Sequence, residues 1–283
     1  MFRMHWFGIA AALTLHGQVV ELGPPPRLDE SAAAKNTGLP QQRLLGPAAV
    51  GGWIDTASRA TVAASWTSGM VNTDNIPMGW TGQVSTCAAG DVSAAWRAAV
   101  QARINWFRGM AGVPDGVVFN PGWNAQNQQA ALMMSANRTL NHNPPNSWAC
   151  YTASGAQAAG NSNICYLLGF GNEDPGCVQA YVSDNGTNNQ PVGHRRWLLF
   201  PQSTTMGAGD VSETGTNGRA NSIWVIDPST GSLPRPATRD NFVAWPPKGY
   251  VPYQAVYPRW SISYANANFG GAEIGRASCR ERV

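Results

Sequence analysis

The chain has 283 residues, enough for one large core with flanking pieces. Only 12% of them are charged, about half the usual share, and lysine occurs twice, at Lys35 and Lys248. The formal charge of +3 falls to +1 without Arg3 and the last eleven residues, and no basic stripe is interleaved with aromatics; nucleic-acid binding is excluded, and the weakly charged polar composition is that of an exported protein.

Residues 1–17 combine Arg3 with an apolar run from Trp6 to Leu15, the pattern of a secretory signal peptide. The run is too short to span a bilayer, and no other stretch is long enough. Residues 18–56, with Gly23-Pro24-Pro25-Pro26 and Gly46-Pro47, read as a flexible Pro/Gly/Ala-rich lead to a main domain at 57–245. A short helix is expected over 57–70. The first strongly periodic helix runs from Asp91 to Gly112, where Trp96, Val100, Ile104 and Phe107 share one face, Asp91 or Ser93 caps the start, and Gly112 with Pro114 ends it.

A second helix is expected from Trp123 to Leu140, with Ala125, Leu132, Ala136 and Leu140 on one side and Pro144-Pro145 forbidding continuation. Residues 147–176 read as loop-rich, followed by a short helix at 178–183 and a turn at Asn185–Asn189. The segment Val192–Pro201 carries His194, Arg195 and Arg196 into an apolar, strand-like run. Further strands are expected at 205–211, 223–227 and 242–245. From 246 to 272 the chain is rich in Pro, Tyr and Trp, with alternation from Trp260 to Tyr264, and reads as the start of a small β module. Residues 273–283 match the conceptual translation of a short-read sequencing adapter, which places the interruption of the natural chain near Ala272.

Of five cysteines, Cys279 lies in that last stretch. Cys87, Cys150, Cys165 and Cys177 form an even set in a chain with an export signal, so two disulfides are expected. Three pairings are possible. The Gly-rich stretch between Cys165 and Cys177 favours that pair, with Cys87–Cys150 as the other. No C-x₂-C spacing supports zinc as the rival explanation.

Four histidines occur, and His5 and His16 fall in the signal segment, so imidazole chemistry rests on His142 and His194. Two neutral imidazoles can hold zinc or another divalent metal, but a tight tetrahedral site needs three or four protein ligands. His142 has a plainer reading as a helix-terminal residue meeting free carbonyls, and His194 as a hydrogen-bonded core histidine. Arg195 and Arg196 suit the tying of loop carbonyls or of Asp184, and Asn163 suits the holding of loop backbone. Neither H-E-x-x-H nor G-x-S-x-G is present.

Asn105, Arg108 and Gly112 on the first helix, Ala130-Ala131 on the second, His142 with Pro145, Gly160-Asn161-Ser162-Asn163-Ile164, His194 to Pro201, and Met206-Gly207-Ala208-Gly209 form an ordered set over 91–211. In that order they resemble the CAP superfamily of cysteine-rich secretory proteins, antigen 5 and pathogenesis-related 1, in its bacterial extracellular form. The resemblance implies an α+β fold, a three-layer α-β-α sandwich, with a short β-rich C-terminal extension. It also implies secretion and a central cleft holding two His and often two Glu that bind a divalent metal. His142 and His194 match that pattern. The first Glu falls on Ser162, a departure, and the second has only Asp184, Glu173 and Asp174 as candidates.

The resulting expectation is a secreted, non-enzymatic CAP domain. Its cleft, lined by His142, His194, Asn163, Ser162, Asp184 and Arg195, would bind a small apolar molecule, a cell-wall glycan or a protein, with His142 and His194 as a weak metal pair. The alternative is a metal-dependent hydrolase or peptidase built on the same histidines, which lacks an obvious third ligand or general base. A carbohydrate-associated role rests only on the aromatic and Asn/Ser/Thr content.

Overall fold

A computed structural model describes residues 52–169, 171, 174–186, 189 and 191–263, and by backbone alone 18–20 and 231–232. The expected signal peptide, most of the lead, Glu173, the end of the β module and the adapter-like stretch with Cys279 lie outside the described residues.

The core of the architecture is a sheet of five strands in the order β1-β3-β5-β4-β2: β1 (Gln18–Val20), β2 (Val118–Phe119), β3 (Ser162–Leu167), β4 (Thr205–Val211) and β5 (Arg219–Trp224). β3 pairs antiparallel with β1 and β5, β4 antiparallel with β5, and β2 parallel with β4. The first three residues of the segment expected as a flexible lead thus form an edge strand on β3.

Helix α1 (Arg59–Gly69) starts on Ser58, and α2 (Ala94–Ala111) starts on Ser93, whose hydroxyl accepts from the Trp96 N–H. Gly112 closes α2 at φ 75, a left-handed cap open to glycine at little cost. On α3 (Pro121–Asn137), Asn120 caps two N–H groups, Pro121 fits the first turn, and Arg138 ends the helix at φ 54. That end lies before His142, so this histidine does not sit on a helix C-terminus as its position suggested.

Helix α4 (Ala153–Gly160), capped by Thr152, occupies part of the stretch expected as loop. Helix α5 (Gly176–Ser183) follows as expected. The segment around His194 is not a strand but a short helix, α6 (Gly193–Leu198). Backbone bonds from Arg196 N to Val192 O and from Leu199 N to Arg195 O close its turns. Its apolar run is continuous because Trp197, Leu198 and Leu199 are all enclosed, which a periodicity test cannot tell from a strand.

The sheet separates two cores. On one face α3 and α4 meet Ile164, Val211, Ala220 and Trp224. On the other α2, α5 and α6 meet Cys165, Leu167, Met206, Ala208 and Ile223, with Trp96, Ile104 and Phe107 wholly buried. Burying each such large side chain contributes roughly 1.5–3 kcal/mol. This is the expected three-layer α-β-α arrangement.

Strands β6 (Val243–Trp245) and β7 (Ser261–Ser263) form a separate antiparallel pair that bridges the boundary expected at 245. It is rooted in the second core: Trp245 is buried and packs edge-on against Phe107, with ring centroids 5.1 Å apart. Both expected disulfides form, Cys87–Cys150 and Cys165–Cys177. No helix of the described residues is long and apolar enough to cross a membrane.

Candidate functional site

The side chains of β3 alternate across the sheet, and this decides which of the expected site residues can meet. Asn163 points to the face covered by α5 and α6. Its amide donates to the His194 carbonyl at 3.0 Å, while its own carbonyl accepts from the Tyr181 hydroxyl at 3.1 Å. Ser162 points to the opposite face, where its hydroxyl donates to Asn127 Oδ1 at 2.7 Å. The departure from the family's Glu therefore lies on the α3 side of the sheet, away from His194.

His194 sits in the first turn of α6 and Asp184 at the C-cap of α5. The two side chains are wholly buried, with His194 Nδ1 at 2.9 Å from Asp184 Oδ1. Asp184 takes a left-handed backbone at φ 49, and its second carboxylate oxygen accepts the Arg195 N–H at 3.2 Å. Tyr181, one turn earlier on α5, stacks on the imidazole with centroids 5.7 Å apart. Hence α5, its cap and α6 hold the imidazole by stacking, by a carboxylate and through its backbone.

The polar connection continues through the core. The Tyr181 hydroxyl donates to Asn221 Oδ1 at 2.8 Å, and Asn221 Nδ2 donates to Asp210 Oδ1 at 2.9 Å. Burial raises the Asp210 carboxyl above its ordinary range, against the pulls of Asn221, Trp96, Arg219 and Arg97. Burial likewise pushes the Tyr181 phenol well up, so it stays neutral and donates.

Arg195 is tied to loop carbonyls, as its sequence setting suggested: Nε donates to Val182 O at 2.5 Å and Nη2 to Ser183 O at 3.1 Å. Burial lowers its guanidinium to about 10, with Asp184 and Tyr257 opposing, which leaves it charged at neutral pH. Arg108 is structural too. It donates to the carbonyls of Pro114, Leu198, Phe200 and Ser203, and these acceptors favour the cation although burial draws it down to about 9. Asn105 exchanges two bonds with the Val117 backbone. Asn105 and Arg108 of α2 thus fasten loops.

His142 lies beyond α3, with Nδ1 at 2.7 Å from the Ala159 carbonyl, just before β3. A carbonyl can only accept, so Nδ1 carries a proton and donates in this bond. His194 has the same arrangement toward a carboxylate. Metal-binding histidines are oriented in this way. His142 is anchored through Ala159 on α4 and His194 through Asn163 on β3.

The donor set is nevertheless short: among the described residues no group of three or more His, Cys, Asp or Glu is placed to hold a metal ion. These residues do not fit a closed zinc site. Asp184 is engaged with His194 and the Arg195 N–H, while Asp174 pairs with Arg103 on α2. Sequence reasoning missed Tyr181, Asn221 and Asp210, whose only signal was polar residues inside segments that are otherwise buried.

No curated protein and no solved structure matches the chain. One family model does, the cysteine-rich secretory protein family, CAP, over residues 101–227, from the middle of α2 to just past β5. The two-faced sheet and the order of the motif residues agree with that match over residues 101–227.

Proposed function

We propose that the chain is an exported, non-catalytic CAP domain that receives a ligand at the N-terminal end of β3, between the segment of His142 and helix α6. The candidate ligands are a small apolar molecule, a cell-wall glycan or a protein. The observation that carries this reading is the orientation of the two histidines. Each ring is fixed through Nδ1, and among the described residues no group of three or more His, Cys, Asp or Glu is placed to hold a metal ion. Such a pair orients and binds, and offers at most a weak, open site for a divalent metal. The two disulfides and the low charge support export.

A metal-dependent hydrolase is the second reading, favoured by one observation: Asp184 orients His194 as a carboxylate orients a general base. Against it stands the donor set, since among the described residues no group of three or more His, Cys, Asp or Glu is placed to hold the metal such an enzyme needs.

Zinc titration by calorimetry of the wild type, His142→Ala and His194→Ala tests the site. Weak binding that disappears in both variants is expected. Equal affinity in all three proteins removes the metal pair from the reading. Zinc-stimulated peptide hydrolysis lost in both variants would establish the enzyme instead.

A further inference from the structure

The β6–β7 pair lies outside the family match, yet two arginines join it to the His194 site. Arg259, two residues before β7, covers the loop after α5 with its guanidinium. Nη1 donates to Asp184 O at 2.6 Å and to Asn189 O at 2.5 Å, and Nη2 to Gly186 O at 2.7 Å. The connection is reciprocal. Arg195 on α6 donates through Nη2 to Arg259 O at 2.9 Å and through Nη1 to Ser261 Oγ at 2.9 Å. The Arg195 guanidinium therefore binds the segment of Arg259, and the Arg259 guanidinium the loop that leads from α5 to α6.

The loop so clasped is demanding. Of its described residues, Asp184 and Val192 are non-glycine residues in the left-handed region, at φ 49 and φ 51. Valine is branched at Cβ and holds that conformation only where its surroundings impose it. A planar guanidinium with five donors fixes the mutual positions of the carbonyls it binds, which a flexible ammonium does not. The anchored Asp184 is the residue whose carboxylate meets the His194 imidazole. The chain of constraint runs from β7 to Arg259, to the Asp184 carbonyl, to its carboxylate, and to His194.

We propose that Arg259 is a positioning residue of the His194 site, and that the β6–β7 pair sets the imidazole's direction through the Arg259–Arg195 clasp. The idea rests on the binding reading only in treating His194 as part of the site. It makes the C-terminal pair of strands a component of that site.

The test uses the full chain labelled with ¹⁵N-histidine, with long-range ¹H–¹⁵N spectra assigned through His142→Ala and His194→Ala. The wild type should show a slowly exchanging Nδ1–H on His194. Arg259→Ala should speed that exchange at least about tenfold and move the His194 nitrogens, leaving His142 unchanged. Arg259→Lys should fall between the two, since an ammonium reaches fewer of the three carbonyls. Trp260→Ser, at an exposed neighbour, should match wild type. Wild-type exchange in Arg259→Ala, or an equal change at His142, overturns the proposal. Should Arg259→Ala not fold, Arg259→Lys decides: a His194 signal no different from that of Trp260→Ser overturns it. Failure of zinc binding sinks the metal pair alone, and unaltered exchange sinks the clasp alone.

Discussion

Ser162 and Asn163 are neighbours on one strand, and both are buried, yet they face two different kinds of interior. On the Ser162 side, α3 lies so close to β4 that an added Cβ at Gly209 would stand 2.2 Å from Gln128 N, and one at Gly207 2.5 Å from Trp123 Cβ. Polar groups there are neutral and satisfied among themselves: Asn127 Oδ1 accepts from Ser162 and Ser222, and its amide donates to Trp123 O. On the Asn163 side the layers are spaced by aromatic rings and guanidiniums, and the interior accommodates Asp210, Arg219 and the His194–Asp184 pair. Layer spacing decides where charge can be enclosed, and the candidate site follows the charge.

Three substitutions probe that contrast. The largest effect is expected from Ser162→Glu, which restores the family's residue at the position where this chain departs from it. The carboxylate would enter the neutral face against the Asn127 carbonyl oxygen and cost about 3–5 kcal/mol, as an uncompensated buried charge does. Chemical denaturation measures it. A stable variant that also gains zinc affinity would show that position 162 can turn toward the histidines.

Gly209→Ala should cost about 1–3 kcal/mol, because the obstacle is the α3 backbone rather than a movable side chain. A thermal midpoint equal to wild type would show that α3 can withdraw and that the close approach is not what keeps this face neutral.

The smallest effect concerns pH. Burial raises the Asp210 carboxyl above its ordinary 3.8, so the folded chain keeps a proton that the unfolded chain releases. The contribution of Asp210 to stability is then fully present below 3.8 and is lost as pH rises toward the elevated folded value, by at most about 1.4 kcal/mol per pH unit. Asp210→Asn should remove that decline. Urea denaturation from about pH 4 to 7 reads the two slopes, and parallel curves would mean that Asp210 ionises freely in the folded chain.

Much of this was legible from residue order alone. The period of Trp96, Val100, Ile104 and Phe107 gave α2, and the motif series gave the family that residues 101–227 match. The preference for Cys165–Cys177 over the other pairings came from the short Gly-rich segment between them. Strand β3 and the first four residues of β5 escaped, although its end was expected within 223–227, because these strands are enclosed on both faces and carry buried polar residues: Arg219, Asn221 and Ser222 look like surface positions until their partners are known. Helix α4 escaped because Ala and Gly fit both a loop and a tightly packed helix. Asp184, Asn163 and His194 were named as site residues, and the structure brings them together. Arg259 was invisible, because it meets Asp184 across 75 positions of chain and no spacing rule reaches that far.

The Cys165–Cys177 bridge runs alongside the contact between Asn163 and Tyr181, two residues from one and four from the other. The strand that holds the His194 backbone and the helix that stacks on its ring are therefore joined by a covalent ring from Cys165 to Cys177. A single proteolytic cut between the two cysteines would open that ring without parting the strand from the helix. Such a cut would be invisible on a non-reducing gel and would yield two fragments once a thiol reductant is added.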